Sequence, residues 1–305
     1  MDLFQLKYFV CVAEQGSFSK AALLLEVAQT TLSRQVRALE VELRTHLFHR
    51  NGRGAQLTPA GRRLLDHARG LLRSADAARD AVRQGDTGLQ GRVVIGLSPG
   101  VSKLLIPPLV SAFRTTLPRV SLSIVEGLSD RLFDQLVTGR LDFAIARNPA
   151  RCPHVVVELL ATEGIYLVGV EPVLKAKASV PISALKGLPL ILPSAPHAIR
   201  PLLDAAMARL GSRPNVAVEV DAVGFDSLTE LAALGLGYAL VPEGTIELFS
   251  EGRKLSCQKI DAPDFFINLC LIAPSQEPPS QVPVEGLRLT RQVILELLRP
   301  TSDPL

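Results

Sequence analysis

Long apolar runs are missing from this chain of 305 residues. None approaches the roughly twenty residues that a membrane-crossing helix requires. The N-terminus, Met1-Asp2-Leu3-Phe4-Gln5-Leu6-Lys7, is not a basic leader before an apolar segment, so a cytoplasmic protein with no membrane partner is expected. Cysteine is scarce. Cys11, Cys152, Cys257 and Cys270 are widely separated and lack any CxxC or Cys/His ligand spacing, which favours reduced thiols over a redox sensor or a metal site. The five His residues are scattered and offer no catalytic cluster. No Ser/His/Asp order, HExxH, P-loop or dinucleotide fingerprint occurs; Gly235-Leu236-Gly237 lacks a third Gly and sits at a helix end before a strand. These absences argue against an enzyme and against a bound cofactor.

Net charge, at +3, says little by itself, but its distribution is uneven. Residues 1–90 carry 13 Lys and Arg against 9 Asp and Glu, leaving 20 against 21 for the remainder. The basic excess therefore lies at the N-terminal end, where a polyanionic partner would gain from counterion release. With 47% hydrophobic and 21% charged residues, the chain has the composition of a globular protein with room for two or three domains.

The most informative stretch runs from Ser17 to Glu40. Ser17 or Ser19 can cap a short helix whose Ala21 and Ala22 permit close helix approach, and Glu26-Val27-Ala28 bridges to a second helix beginning near Gln29. Leu32, Val36, Leu39 and Leu43 recur at spacings of four, three and four, which predicts one buried stripe. The opposite face carries Thr30, Thr31, Ser33, Arg34 and Arg37, short donors and guanidinium forks suited to phosphates and base edges in a major groove. A generic helical hairpin would show the same stripe, so the surroundings decide. Leu3, Leu6, Val10 and Ala13 predict a preceding helix on which Phe18 can lock the hairpin, and Asn51-Gly52 favours a tight turn between short extended arms. Arg50 and Arg53 place positive charge at the tip of that wing. Three helices and a basic wing predict a winged helix-turn-helix that binds double-stranded DNA rather than a structural hairpin or a protein-binding module.

Leu6-Lys7-Tyr8-Phe9, Gly16-Ser17-Phe18-Ser19, Leu32-Ser33-Arg34-Gln35-Val36, Leu47-Phe48, Arg50 and Leu57-Thr58-Pro59-Ala60-Gly61 resemble the DNA-binding domain of LysR-type transcriptional regulators. The resemblance continues through Arg92-Val93-Val94-Ile95-Gly96, Glu126-Gly127, Leu141-Asp142-Phe143-Ala144-Ile145 and Gly235 to Pro242, nearly the whole length. It implies a bacterial, effector-controlled regulator acting at operator DNA, with RNA polymerase as a further partner. Two positions depart from the family pattern. Arg44 follows Leu43 where the family commonly has Gly, so the helix is expected to run on or to strain there. Thr30 replaces a common Pro or Ser. Ser19 and Gln29 complete the expected DNA-contacting set.

After Thr58-Pro59, a capping pair, Leu64, Ala68, Leu71, Ala75, Ala78 and Val82 alternate spacings of four and three along an Ala-rich helix to about Arg83. That predicts a short seam between two chains, hence a homodimer presenting two recognition helices to a partly palindromic operator. The resemblance implies that such dimers pair into homotetramers. Gln84 to Gly91, with three glycines, reads as a hinge. The expected division is 1–58 for the winged module, 59–90 for linker helix and hinge, and 91–305 for an effector domain.

Beyond the hinge, strands alternate with helices: Val93 to Leu97, a helix around Pro107 to Thr116, Val120 to Val125, a helix from Asp130 to Thr138, and Phe143 to Ala146. The pattern resumes with Ile165 to Val170, Leu190 to Leu192, a helix from Ile199 to Leu210, Val216 to Val220, a helix from Asp226 to Ala233, and Tyr238 to Val241. The expected fold is α/β with an N-terminal winged helix-turn-helix. By the resemblance, the remainder is a two-lobed, periplasmic-binding-protein-like domain: lobe I is 91–161 and 266–305, lobe II is 162–265, and a helix from Val284 to Leu298 ends the chain.

Ligands of open α/β sheets bind where strand ends lead into helix N-termini. Ser98-Pro99-Gly100, Leu128-Ser129 and Pro193-Ser194 qualify, with Arg147, His197 and Arg200 as possible charge partners for a carboxylate and Phe225, Leu128 and Val223 as candidate apolar walls. Arg200 can equally pair with Asp204 along its helix. Leu192-Pro193-Ser194, Ile199-Arg200, Asp204 and Ser98-Pro99-Gly100 are similar to the nitrogen-assimilation-control branch of the family. The reading is a DNA-binding regulator controlled by a small molecule held between the lobes. An effector-independent regulator, or a solute-binding protein using the cleft alone, would be the alternatives.

Overall fold

The computed structural model describes residues 1–49, 54–83, 89–175, 177–221, 224–246, 255–275, 278 and 280–297. The wing tip with Arg50 and Arg53, residues 84–88 of the expected hinge, Val223 and Leu298 lie outside them.

Helix α1 (Leu3–Gln15) starts at a capping box in which the Asp2 carboxylate accepts from the Gln5 N–H at 2.8 Å and the Gln5 side chain accepts from the Asp2 N–H at 3.1 Å. It ends at Gly16, whose φ of 59° suits glycine. Ser17 caps α2 (Phe18–Leu24), accepting from the Lys20 N–H. Helix α3 (Gln29–Glu42) buries Leu32, Val36 and Leu39 against α1 and α2. Leu43 leaves the expected stripe: it caps the helix and is exposed, because α3 stops one residue earlier. The stop is made by Arg44 at φ 51°, with the Thr45 N–H returning to the Glu40 carbonyl. The chain thus takes the left-handed stop where glycine would be unstrained, instead of running on. Phe48 packs on Phe9 and Phe18, each at 5.5 Å between centroids, and pairs with Leu57 as the base of the wing.

Helix α4 (Pro59–Arg83) corrects the predicted seam in its first half. Ala68 is fully buried in the winged module's own core and so is not available to a second chain, and Leu64 packs half-buried beside it. Leu71 and Val82 are exposed, as is Ala78. The helix also lies against the effector domain. A Cβ on Gly70 would stand 2.1 Å from the Thr138 carbonyl oxygen, and two ion pairs flank that approach: Asp66 to Arg140 at 2.7 Å and Arg73 to Asp142 at 2.6 Å. Asp142 further accepts from the Val94 N–H at 2.7 Å, yet burial still pushes its carboxyl above the usual range.

The remaining elements form one continuous sheet shared by two lobes. Strands β1 (Gly91–Leu97), β2 (Val120–Glu126), β3 (Phe143–Arg147), β4 (Val155–Gly169) and β10 (Phe266–Pro274) run in the order β2-β1-β3-β10-β4. The order continues through β8 (Tyr238–Pro242), β6 (Leu190–Pro193) and β7 (Val216–Val220), while β9 (Ser256–Asp261) pairs with β4 and β5 (Ser179–Pro181) pairs with β9. Parallel pairing of β1 with β2 and β3 needs crossovers, which α5 (Val101–Thr116) and α6 (Ser129–Val137) supply. Helices α7 (Ile199–Arg209) and α8 (Asp226–Ala233) serve lobe II, and α9 (Gln281–Leu297) returns to cover β1 and α5.

Strand β4 is the crossing element. Up to Gly164 it pairs with β10, and from Ile165 with β8, where Thr162 was the expected crossing point. The strand begins ten residues before the expected Ile165, because Val155 to Gly164 has no alternation that marks it. Helix α5 likewise begins six residues before the predicted Pro107. Its two internal prolines are tolerated because Val101, Leu105, Leu109 and Phe113 bury one face against β1 and α9.

Candidate DNA-recognition face and ligand cleft

The outward face of α3 presents Gln29, Thr30, Arg34 and Arg37 to solvent, with Thr31 and Ser33 half-buried at its rim. Ser19 joins that surface by donating to the Gln29 amide oxygen at 3.1 Å, which ties the first helix of the hairpin to the start of the second. Neither Arg34 nor Arg37 meets an acidic partner among the described residues, so both charges face water. Leu32, Val36 and Leu39 fix this face from below, so α3 cannot rotate its guanidinium row inward without exposing its core stripe.

Between the lobes lies a cleft of about 450 Å³, within the range that holds metabolite-sized ligands. Lobe I contributes Ser98, Pro99, Leu128, Ser129, Asp130, Arg147 and Asn148; lobe II contributes Ala195, Pro196, His197, Ala198, Arg200, Pro201, Leu202, Asp204 and Phe225. Ser98, Pro99, Leu128, Ser129, Arg147, His197, Arg200 and Phe225 of the expected set are brought together here. Gly100, Pro193 and Ser194 are not. Gly100, at φ 77°, packs its backbone behind Phe225 and Thr245. The Pro193 carbonyl accepts from Arg200 at 3.5 Å, and Ser194 faces Glu219, whose carboxyl Arg200 and then Ser194 hold below the usual range.

The charge partners proposed for a carboxylate are already engaged. Arg147 is buried and reaches across to Glu163 with Nε at 2.8 Å and Nη2 at 3.3 Å, while Nη1 donates to the Pro99 carbonyl at 2.8 Å. Glu163 lies on the crossing strand and also accepts from the Gly244 N–H, so the pair clasps lobe I to the start of lobe II. Arg200 donates to Glu219 at 2.8 Å and stands 3.4 Å from Asp204, and the Glu219 bond raises its pKa further. His197 is buried edge-on to Phe225 at 5.1 Å, and burial, then the Arg147 charge, lowers its pKa to about 4. Its Nδ1 accepts from the Ile199 N–H at 3.4 Å, which leaves Nε2 as the protonated nitrogen of a neutral ring. Ser98 is 3% exposed and its hydroxyl has no hydrogen-bond partner among the described residues.

Sequence reasoning missed Glu163, Asp130 and Asn148. Asp130 and Asn148 adjoin residues it had chosen, so the loop neighbourhood was the available signal. Glu163 had none: it meets Arg147 only because β4 runs on through β10's register into the second lobe.

A helix-turn-helix module followed by a two-lobed cleft domain is the arrangement of a known group of proteins. The model described as bacterial regulatory helix-turn-helix protein, lysR family, matches residues 3–62, and that of the LysR substrate binding domain matches residues 86–292. The chain belongs to the LysR family. Among LysR relatives, the nitrogen assimilation regulatory protein nac of Escherichia coli (strain K12) is 32% identical over 277 residues, 90% of each chain. A probable hydrogen peroxide-inducible genes activator of Mycobacterium avium is 31% identical over 85% of this chain and 83% of its own. A full-length OxyR variant from Pseudomonas aeruginosa superposes with a TM-score of 0.75 at 25% identity, covering 100% of this chain and 99% of that one. Full-length CbnR, solved in complex with its target DNA, shares the fold with a TM-score of 0.69 at 23% identity over 96% and 100%. This LysR chain is therefore a DNA-binding transcriptional regulator with an effector-binding domain. No helix among its described residues is long and apolar enough to cross a membrane.

Proposed function

We propose that residues 1–58 bind an operator through Ser19, Gln29, Thr30, Thr31, Ser33, Arg34 and Arg37, with Arg50 and Arg53 reaching the adjoining phosphates or minor groove. The protein is a cytoplasmic regulator without enzymatic activity of its own. The distal face of α4 at Leu71, Ala75, Ala78 and Val82 pairs two copies, and those dimers pair again through the effector domain; RNA polymerase is the partner downstream of the operator. The supporting observation is the uncompensated Arg34–Arg37 row held outward on a buried stripe.

Residues 91–305 sense a small molecule in the cleft. Its control over DNA runs through the docked linker helix. Asp142 adjoins β3, whose far end is Arg147 in the cleft, and holds the N–H of Val94 on β1, which leads to Ser98. A ligand that favours one lobe arrangement thus biases the α4 contact at Gly70, Asp66 and Arg73, provided its affinity differs between the arrangements. The test is polarisation titration with a duplex selected from random sequence. Arg34→Ala is expected to weaken binding and to flatten the salt dependence by about 0.9 in log–log slope, the share of one phosphate contact. An unchanged affinity and slope would remove Arg34 from the interface.

A further inference from the structure

The cleft contains two guanidinium groups, and both are neutralised from within the protein. Arg147 has Glu163 across two of its nitrogens, and Arg200 has Glu219 and Asp204. Asp130 lines the same space, so four carboxylates stand around two cations. His197 adds no charge at neutral pH, since burial keeps its ring neutral. A carboxylate ligand would give up its water without meeting a free cation. Taking Arg147 from Glu163 would strand a buried acid in turn.

Helix N-termini are the other usual anion receivers, and three open on this cleft. Each is occupied. At α5 the first amides, Val101 and Ser102, donate to the Ser98 carbonyl at 3.1 and 3.2 Å. At α6 the first turn already contains Asp130, whose charge opposes a second anion there. At α7 the Ile199 N–H is held by the His197 ring. Apart from the Nε of Arg200, which has no hydrogen-bond partner but stands 3.4 Å from the Asp204 carboxylate, what remains for a ligand is neutral: the buried, unpartnered Ser98 hydroxyl, the Nε2–H of His197, and apolar surface from Phe225, Leu128 and Pro196.

We infer that this cleft takes an uncharged molecule with an apolar body and a carboxamide, hydroxyl or carbonyl head, and rejects the carboxylate of the same skeleton. The inference rests on the cleft being the effector site and names the chemistry of what enters it. It replaces the carboxylate expected from the loop serines and basic residues of the sequence. The Ser98 hydroxyl and the His197 N–H receive the head, and the Arg147–Glu163 clasp sets the charge selection.

The test uses the full-length protein and ligand-observed NMR titrations with matched sets: benzamide, benzyl alcohol and benzoate; nicotinamide and nicotinate; phenylacetamide and phenylacetate. The neutral member of each set that binds is expected to bind about tenfold or more tightly than its carboxylate. Ser98→Ala should weaken that binding by about threefold to tenfold, the share of one hydrogen bond. Glu163→Gln, which frees the Arg147 charge, should move the preference toward carboxylates. Glu219→Gln, at an exposed position that leaves the core intact, should move it the same way through Arg200. A wild-type protein that prefers the carboxylates overturns the inference and leaves the cleft as the effector site. Absence of binding by every member, or binding indifferent to Ser98→Ala, overturns the effector-site reading and this inference with it.

Discussion

Replacing Gly70 by Ala isolates the contact between the linker helix and lobe I. The added methyl would sit 2.1 Å from the Thr138 carbonyl oxygen and 3.1 Å from its carbon, where ordinary contact begins at 3.4 Å. The shortfall against the oxygen, 3.4 less 2.1, is about 1.3 Å, and both atoms are backbone, so no side chain can rotate away. Helix and lobe must part by about that distance. The Asp66–Arg140 and Arg73–Asp142 pairs, at 2.7 and 2.6 Å, would then open beyond hydrogen-bond range, a loss of about 1–2 kcal/mol for half-buried pairs. Against this, Ala in a helix interior is favoured over Gly by about 1 kcal/mol. The two effects nearly cancel, so total stability should barely change while the domains separate. Small-angle scattering should show a larger radius of gyration at an unchanged thermal midpoint, and ligand should lose its influence on operator affinity. A scattering curve identical to that of the unmodified protein would refute the close approach and, with it, the route from cleft to DNA through α4.

Two further substitutions follow from local geometry. Arg44 holds a left-handed conformation that costs an L side chain about 1 kcal/mol, so Arg44→Gly should raise unfolding stability by about 0.5–1 kcal/mol in urea titration; no gain would mean that the arginine side chain repays its strain. For His197 the folded pKa of about 4 lies below the ordinary 6.5, so the unfolded chain binds the extra proton first as pH falls. Stability from the neutral ring is fully present above pH 6.5 and is lost toward pH 4, about 2 kcal/mol of it between pH 7 and pH 5. Urea unfolding at those two pH values should show that difference in the natural protein, and a correspondingly smaller one in His197→Phe. Equal pH sensitivity in both would place the titration elsewhere.

The sequence made the winged module legible because its signals are local. Ser17 caps, Leu32, Val36 and Leu39 keep helical period, and Phe18 opens a hairpin that has to seat on α1. Every one of those relations spans a few residues or one helix face. Leu43 failed where the period continued but the chain turned, since periodicity alone cannot place a stop made by Arg44. In the linker helix, the stripe from Leu64 to Val82 has one continuous period, but the fold divides it: the first half faces the chain's own core and only the distal half faces outward. A heptad pattern gives the face of a helix but not the identity of what covers it.

In the cleft the same limit decides the chemistry. Ser98, Arg147, His197 and Arg200 could be chosen from residue type and position at strand ends, and the fold brings them around one space. Their charge state could not. Glu163 meets Arg147 across 16 residues of sequence, and Glu219 meets Arg200 from a neighbouring strand, so the cations are cancelled by partners with no sequence period to reveal them. An arginine in a binding site is therefore evidence for an anionic ligand only after its remaining partners are known. Here those partners are acids held by strands β4 and β7, and β4 is also the strand that carries the chain between lobes. The clasp that sets ligand charge and the crossing that sets lobe orientation share one element. A substitution at Glu163 should consequently alter both which ligand enters and how far its entry turns the lobes, whereas one at Glu219, on the outer strand, should alter selection alone.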